Sequence, residues 1–257
     1  MQASASDPVI EFVEVSYRID GVQVLSGLNL KVARGETLVL LGRSGSGKTT
    51  TLKLVNRLVA PSSGDVRVNG ESNTEVDVIR LRRSIGYVIQ EVGLFPHFTV
   101  ERNISLVPKI EGWPQERIRS RVGELLQLVG LTPDLAARFP HQLSGGQRQR
   151  VGVARALAAE PQILLMDEPF GALDPLTRDE LQREFSLLQK RLHKTVVFVT
   201  HDLREALSLG SRIALMEAGK LVTVLKPDEF VKSDDPWASA YVKAFEAGQN
   251  SSEERGI

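Results

Sequence analysis

The chain has 257 residues, of which 42% are apolar and 25% are charged, proportions that are typical of a soluble globular protein able to build a sizeable core. Its 32 Lys and Arg residues balance 32 Asp and Glu residues, so no net charge would hold it on nucleic acid or on an anionic bilayer. The absence of cysteine excludes disulfide-built scaffolds, thiolate metal sites and cysteine nucleophiles.

The sequence carries neither a secretory signal nor a membrane span. Residues 1–8 lack the basic start and the apolar stretch of a signal peptide. The longest apolar runs, such as residues 38–41 and 163–166, are far shorter than the roughly 18 to 20 residues that cross a bilayer. If the protein works at a membrane, we therefore expect another chain to supply the spans.

The N-terminal third predicts strands and one helix. Alternating apolar residues at 10–17 and 28–32 predict antiparallel strands, whereas the apolar run 36–41 predicts a strand buried on both faces. A helix is expected over 49–58, before the turn at 61–64. Further apolar strands are predicted at 85–88, 163–166, 195–199 and 213–216. Their alternation with helical stretches predicts an α/β fold with a largely parallel core sheet.

Residues 94–158 differ from the rest because they show helical spacing and no strand. A helix is expected from Pro114 to about Val129, and Thr132-Pro133 has the form of an N-cap followed by proline. We interpret this stretch as a helical insert; the alternative is a long crossover connection. The expected organisation is a single domain. Its parts are a catalytic core (1–93 and 159–247, including a short helix at 236–245), a helical subdomain (94–158) and a flexible tail (248–257).

A glycine-rich turn after the buried strand fits the phosphate-binding P-loop pattern. Its glycines let backbone N–H groups converge on phosphate oxygens, and the following helix adds the partial positive charge of its N-terminus. Lys48 is expected to reach the β and γ phosphates and Thr49 to ligate Mg²⁺. The alternative, a glycine loop without a ligand, does not require the strand and helix found on either side. The candidate nucleotide-binding residues here are Gly42, Arg43, Ser44, Gly45, Ser46, Gly47, Lys48, Thr49 and Thr50.

The strand at 163–166 leads into two carboxylates, Asp167 and Glu168. This position lies at the carboxyl edge of the sheet, where α/β proteins bind ligands. Neighbouring residues of a strand point to opposite faces, so the two carboxylates have different roles. One is expected to hold the Mg²⁺ shell and the other to orient or deprotonate the water that attacks the γ phosphate. The alternative is a pair of solvated acids.

Leu143 to Gln147, here called the signature segment, opens another predicted helix. Ser144 is a good N-cap and Gln147 completes a capping box, while Gly145 and Gly146 suit close approach of an anion to the helix N-terminus. The alternative is an ordinary cap that contains glycine. Three arginines follow, Arg148, Arg150 and Arg155. Their spacing indicates the polar side of an amphipathic helix rather than a surface that binds nucleic acid.

Three single residues complete the candidate site. His201 follows the strand at 195–199 and is able to donate a hydrogen bond to a γ phosphate, although a lone histidine is more often structural. Gln90 follows the strand at 85–88, and its amide suits Mg²⁺ or water, with a surface loop residue as the alternative. Tyr17 is a candidate for stacking on a purine, with core packing as the alternative.

Together these segments resemble the nucleotide-binding subunits of ATP-binding cassette transporters, over nearly the whole chain. The resemblance rests on an ordered set: Walker A at 42–49, a Q-loop at Gln90, LSGGQ at 143–147, Walker B at 163–168, a D-loop at Ala172-Leu173-Asp174 and a switch histidine at His201. It implies ATP and Mg²⁺ as ligands and a RecA-like P-loop core with an antiparallel β subdomain and a helical subdomain that carries the signature segment. It further implies Tyr17 as the adenine-stacking residue, Glu168 as catalytic base, and Asp167 as a metal residue acting through water.

The resemblance also implies partners. It predicts a dimer, either a homodimer or a heterodimer with another cassette, in which Ser144, Gly145, Gly146 and Gln147 act on the nucleotide of the other chain. Transmembrane permease subunits and, indirectly, a substrate-binding protein would complete a transporter at the cytoplasmic face of the membrane, with the chain as a peripheral subunit and no nucleic acid. Residues 82–97, 103–108 and 168–175 resemble importers of quaternary-ammonium osmoprotectants. Importers of amino acids or sulfonates are the nearest alternative.

Two other functions are weighed against the transporter ATPase. A soluble cassette ATPase that acts on DNA, chromatin or ribosomes usually carries a long coiled-coil insertion or two cassettes, and neither pattern occurs in this sequence. An ATP-binding module without turnover is disfavoured by the presence of Glu168 and His201.

Overall fold

The computed structural model describes residues 8–90, 92–171 and 173–253, with the side chains of 192 and 247–253 left out. Within these residues the chain forms two sheets and a set of helices, and the two sheets share one apolar core. The α/β class predicted from the sequence is confirmed.

The first sheet is antiparallel and has the strand order β2-β1-β4-β5. Its strands are β1 (Pro8–Ile19), β2 (Val22–Ala33), β4 (Ser63–Val68) and β5 (Glu71–Ser72). The predicted pair, β1 and β2, is present, with Tyr17 opposite Leu25. The sequence did not predict β4 and β5.

The second sheet carries the parallel strands and has the order β10-β9-β3-β8-β7-β6. It contains β3 (Thr37–Leu41), β6 (Ile85–Val88), β7 (Ile163–Asp167), β8 (Thr195–Thr200), β9 (Arg212–Glu217) and β10 (Lys220–Leu225). All residues of β3, β7 and β8 are buried, as expected for strands covered on both faces. Strand β10, which the sequence did not predict, pairs antiparallel with β9 at the edge.

Helices connect these strands and cover the sheets. They are α1 (Lys48–Val55), α2 (Val78–Ser84), α7 (Pro175–Leu192), α8 (Leu203–Leu209), α9 (Pro227–Val231) and α10 (Pro236–Glu253). Helix α1 ends before the predicted limit of 58, since Arg57 adopts a positive φ of 52°. Helix α10 continues past 245, so the predicted flexible tail is helical as far as Glu253; residues 254–257 lie outside the described residues.

Helices and turns occupy residues 100–157, within the stretch 94–158 that the sequence predicts as a helical insert, and no strand lies among the described residues from 92 to 162. It contains α3 (Val100–Ile104), α4 (Leu106–Ile110), α5 (Gln115–Leu128), short 3₁₀ turns at 133–137 and 140–142, and α6 (Gly145–Leu157). Helix α6 also touches the core, because a Cβ on Gly86 of β6 would collide with the carbonyl oxygen of Ala156. The helix that starts at the signature segment therefore ends against the parallel sheet.

Candidate active site

The carboxyl ends of the parallel strands bring the predicted site residues to one edge of the sheet. The P-loop follows β3, Gln90 follows β6, Glu168 follows β7 and His201 follows β8. They surround an open cleft of about 720 Å³, a volume in the range of small-molecule sites. The cleft is lined by Val24, Arg43, Ser44, Gly45, Gly47, Lys48, Thr49, Thr50, Gln90, Glu168, His201, Trp237, Ala240, Tyr241 and Ala244.

Two P-loop glycines are required by close packing of the loop against the core. A side chain on Gly42 would collide with the carbonyl oxygen of Met216, and one on Gly47 would lie 2.5 Å from Leu25 Cδ2. Gly47 also has a φ of +98°, a conformation that favours glycine. Gly42 and the buried Ser46 thus lie on the core side of the loop, while its exposed residues 43–45 face the cleft.

Lys48 lies beneath the loop with 5% of its surface exposed. Its Nζ donates hydrogen bonds of 2.8 Å to the carbonyl oxygens of Gly42 and Arg43. Burial lowers the pKa of Lys48, and the nearby carboxylates of Glu168 and Asp167 oppose that shift. The ammonium group is thus held at the base of the cleft, where it has carbonyl oxygens that phosphate oxygens can replace.

Thr49 and Asp167, two residues that the sequence predicts as metal-binding, lie side by side. The Thr49 hydroxyl donates a 2.8 Å hydrogen bond to Asp167 Oδ1, and the Tyr87 hydroxyl lies 3.5 Å from Oδ2. Burial raises the pKa of Asp167, and the Thr49 hydrogen bond works in the opposite direction. Burial, followed by the charge of Asp167, raises the pKa of Tyr87. A buried carboxylate with a hydroxyl beside it is a suitable oxygen set for a hard cation.

Glu168 presents its carboxylate to both of the other polar residues at this edge. Its Oε2 lies 3.4 Å from Gln90 Nε2 and 3.3 Å from His201 Nδ1. Its backbone adopts a φ of 43°, which is unusual for a residue with a side chain, while its N–H donates to the carbonyl of Val199 in β8. Strain of this kind persists where the surrounding structure fixes the residue, and it is common in active sites.

Tyr17 does not line the cleft. It is half-buried and packs against the core shared by the two sheets, whereas Val24 of the neighbouring strand does line the cleft. Its stacking on adenine stays a prediction.

The signature segment lies away from the cleft of its own chain, since none of its residues lines that cleft. The predicted capping box is present: Gln147 N–H donates to Ser144 Oγ, and Ser144 N–H donates to Gln147 Oε1. The two glycines differ in environment. Gly145 is exposed, but Gly146 is buried, and a Cβ there would lie 2.7 Å from Thr177 Cγ2. Close packing between α6 and α7 is a sufficient reason for the second glycine.

In the predicted D-loop, Asp174 is the N-cap of α7. Its Oδ1 accepts a 3.1 Å hydrogen bond from the N–H of Thr177, and such bonds lower the pKa of Asp174. Ala172, the first residue of the predicted D-loop, lies outside the described residues.

Sequence reasoning missed the wall of the cleft that α10 supplies. Trp237, Ala240, Tyr241 and Ala244 recur at intervals of three and four residues, so they share one face of this helix. That spacing was available in the sequence, but no sequence pattern shows that this face lies opposite the P-loop. The hydroxyl of Tyr241 is buried without a hydrogen-bond partner, and burial raises its pKa.

Two features are absent from the described residues. No group of three or more His, Asp or Glu side chains there is arranged to hold a metal ion. No helix there combines the length and the apolar character needed to cross a membrane.

This cleft and its topology define a P-loop nucleotide-binding cassette, and the comparisons agree. The profile of the ABC transporter family matches residues 25–171, more than half of the chain. The chain belongs to the ABC transporter family. The solved dimeric structure of a post-hydrolysis state of the ATP-binding cassette MJ0796, bound to ADP and Pi, is similar with a TM-score of 0.76 and 34% identity. That match covers 85% of this chain and 98% of the other.

Two relatives are similar along most of this chain. The choline transport ATP-binding protein OpuBA of Bacillus subtilis (strain 168) is 52% identical over 236 residues, covering 92% of this chain and 61% of that protein. The glycine betaine/carnitine/choline transport ATP-binding protein OpuCA of the same strain is 53% identical over 225 residues, covering 88% of this chain and 58% of that protein. The chain thus spans about three fifths of the length of these relatives.

Proposed function

We propose that the chain binds and hydrolyses MgATP as the energising subunit of a membrane importer. The observation that carries this proposal is the convergence of Lys48, the Thr49–Asp167 pair and Glu168 on one cleft at the carboxyl edge of the sheet. The backbone N–H groups of 43–48 and the Lys48 ammonium would bind the β and γ phosphates. We also propose that Tyr17, Ser46 and Thr50 contact the nucleotide.

Mg²⁺ fits the oxygens that this site presents. The Thr49 hydroxyl and the Gln90 amide oxygen would ligate it directly, and Asp167 would act through water; these are hard ligands, and they leave positions free for phosphate oxygens. When bound, the ion would neutralise charge on the β and γ phosphates.

Hydrolysis would proceed by attack of water on the γ phosphorus while the bond to the β–γ bridging oxygen breaks. Glu168 Oε2 would accept the proton of the attacking water, and His201 would donate a hydrogen bond to the γ phosphate. Gln90 and His201 flank this carboxylate oxygen, and so they are placed to orient both the base and the water.

The Glu168→Gln variant tests these assignments. It should bind MgATP with nearly unchanged affinity and show no steady-state hydrolysis, because the amide keeps the size of the side chain but cannot accept the proton. A residual rate above about a tenth of the wild-type rate would contradict the role of Glu168, since general-base catalysis contributes roughly 10² to 10⁴-fold.

We also propose a head-to-tail dimer, either a homodimer or a heterodimer with another cassette, and the position of the signature segment supports it. Because Ser144 to Gln147 do not line their own cleft, they are free to contact the γ phosphate held by Lys48 of the partner subunit. Asp174 would lie beside this interface. Light scattering on Glu168→Gln should show a dimer when MgATP is added; a monomer at saturating MgATP would contradict the homodimer.

Residues 92–98 are suited to form a docking surface for a permease subunit. Phe95 is 41% exposed, and its ring lies 5.3 Å from that of Phe98. Asn103 holds the loop in shape, since its Oδ1 accepts from Phe95 N–H and its Nδ2 donates to the carbonyl of Phe98. The sequence predicts the docking loop over 91–98, with filling of the core as the alternative; Leu94 packs on the core, as that alternative requires, and Glu91 lies outside the described residues.

Phe95→Asp tests this docking surface in the transporter reconstituted with its membrane and binding-protein partners. Coupling of solute uptake to hydrolysis should fall, while ATP binding by the isolated chain stays unchanged. Leu187→Asp is the matched control, because Leu187 is also exposed but lies on α7. Unchanged coupling in Phe95→Asp would contradict docking at this loop.

The proposed solute is a quaternary ammonium compound such as glycine betaine, choline, carnitine or proline betaine. The names of the two relatives support this proposal. We further propose that the chain is a peripheral subunit at the cytoplasmic face of the membrane. ATPase stimulation measured across a solute panel tests it. Stimulation by an amino acid or a sulfonate, but by no quaternary amine, would favour the alternative class of importer.

A further inference from the structure

The short segment that follows Gln90 adopts a backbone conformation that needs external support. Val92 has a φ of 53° and Gly93 a φ of 52°, and the N–H of Val92 donates back to the carbonyl of Ile89. A residue with a side chain at positive φ is strained, and it keeps this conformation only where its surroundings fix it. Contacts from outside the segment are therefore expected to hold it.

Arg155 of α6 supplies such contacts. Its Nη1 donates a 2.7 Å hydrogen bond to the carbonyl oxygen of Gly93, and its Nη2 donates a 2.6 Å bond to that of Val92. The two nitrogens of one planar guanidinium thus bind two successive carbonyls. The sequence predicts Arg155 on the polar side of an amphipathic helix; in the fold its side chain is half-buried, and burial lowers its pKa.

A second contact presses the same segment against α6. Gly152 lies one turn before Arg155, and a Cβ there would be 2.6 Å from Val92 Cγ1. The adjacent turn of the helix, at Ala156, packs against Gly86 of β6. Residues 92–93, helix α6 and strand β6 therefore pack tightly against one another on the side of the insert that faces the core.

These contacts begin at Val92, two residues after Gln90. The Nε2 atom of Gln90 is 3.4 Å from Glu168 Oε2. The N–H of Val92 is hydrogen-bonded to the carbonyl oxygen of Ile89, and a side chain at Gly93 would collide with Ile89 Cδ1. A displacement at 92–93 therefore moves Gln90 as well. A shift of about 1 Å in a catalytic group can reduce a rate by about 100-fold.

We propose that Arg155 is a positioning residue for ATP hydrolysis. By binding the carbonyl oxygens of Val92 and Gly93, it holds the Gln90 amide against Glu168. The inference depends on the proposed roles of Gln90 and Glu168, and it adds a residue that touches neither nucleotide nor metal. Because α6 begins at the signature segment, the same helix positions groups for the chain's own cleft at one end and for the other chain's cleft at the opposite end.

A double-mutant cycle on the full chain tests this role. Arg155→Met should lower kcat for MgATP about 10- to 100-fold and raise KM by a smaller factor, because the arginine positions the Gln90 amide, which lies beside Glu168 and is only one of the proposed Mg²⁺ ligands. In a Gln90→Ala background the same change should have little further effect, since nothing is left to position. Arg155→Lys should recover part of kcat, because an ammonium group can bind one carbonyl but lacks the two-pronged geometry.

Arg121→Met is the matched control. Arg121 donates to the carbonyl oxygens of Leu157 and Ala158, at the C-terminus of the same helix but away from the segment after Gln90. Its kcat should stay within about twofold of wild type. Hydrogen exchange of the peptide 88–96 should become faster in Arg155→Met and not in Arg121→Met.

Three results would overturn the inference: an unchanged kcat in Arg155→Met, a loss confined to KM, or effects of Arg155→Met and Gln90→Ala that multiply in the double variant. If Arg155→Met fails to fold, Gly152→Ala displaces the same segment and should show the same fall in kcat and the same non-additivity. The wild-type and Glu168→Gln rates, measured alongside, test the proposed function separately.

Discussion

The two glycines of the signature segment should respond oppositely to replacement by alanine. In Gly146→Ala the new methyl would lie 2.7 Å from Thr177 Cγ2, well inside the roughly 3.5 to 4.0 Å at which carbon atoms pack. In Gly145→Ala the new methyl would lie 3.7 Å from Leu173 Cδ2, an ordinary contact on an exposed helix turn. We expect Gly146→Ala to destabilise the chain and Gly145→Ala to leave it as stable or more so.

The magnitude follows from two opposing effects. Overpacking costs about 1 to 3 kcal/mol, and replacing glycine by alanine in a helix returns up to about 1 kcal/mol. Gly146→Ala should therefore lose about 0 to 2 kcal/mol of unfolding free energy. Gly145→Ala lacks the steric cost, so the two variants should differ by about 1 to 3 kcal/mol.

Urea unfolding without nucleotide measures this difference. Thr177→Ser removes the methyl group that the new side chain meets, so it should restore most of the stability lost in Gly146→Ala. Equal stability of the two alanine variants, or no recovery with Thr177→Ser, would refute the packing argument. Gly145→Ala, although stable, should weaken MgATP-induced dimerisation, because its methyl group projects from the exposed side of the signature segment.

Three further predictions concern the cleft and its surroundings. Thr49→Val should weaken MgATP binding about 10-fold or more, with little effect on metal-free ATP, because the variant lacks the hydroxyl that would ligate Mg²⁺; titration with and without Mg²⁺ measures this. In a Trp113→Phe background, MgATP should change the fluorescence of Trp237, which lines the cleft, and should not do so when Lys48→Ala is added. Burial raises the pKa of Glu205, so the folded chain retains this proton to higher pH than the unfolded chain, and stability falls as pH rises from 4.5 through the raised value. The melting temperature of Glu205→Gln should therefore rise relative to wild type between about pH 4 and pH 8; a constant difference would contradict the shift.

The elements that carry the site were predictable because they are local. Strand β3 is an apolar run followed at once by the P-loop, and β7 ends at its two carboxylates, so both were located to within one residue. Strand β4 was missed because it begins inside a turn: Gly64 has a φ of +81°, and a side chain there would collide with the backbone of Glu14. Such an irregular strand is defined by its partner rather than by its own alternation.

Contacts between distant segments were not predictable from the sequence. An arginine on an amphipathic helix looks the same whether it faces solvent or a loop, and only the path of residues 92–93 distinguishes Arg155 from Arg148. The second signature glycine was attributed to anion approach, but Gly146 meets Thr177, which is 31 positions along the chain. In both cases the function of a residue depends on which segment the fold brings against it.

The charges around the cleft explain why the metal and the nucleotide should bind together. Lys48 is surrounded by the carboxylates of Glu168, Asp167 and Glu217, all of which favour its charged form. The same carboxylates repel the phosphates of metal-free ATP, and in a partly buried site this repulsion is screened less than in water. A divalent cation beside Thr49 and Asp167 would offset that repulsion. The arrangement therefore favours MgATP over ATP through charge balance, before any specific metal bond is considered.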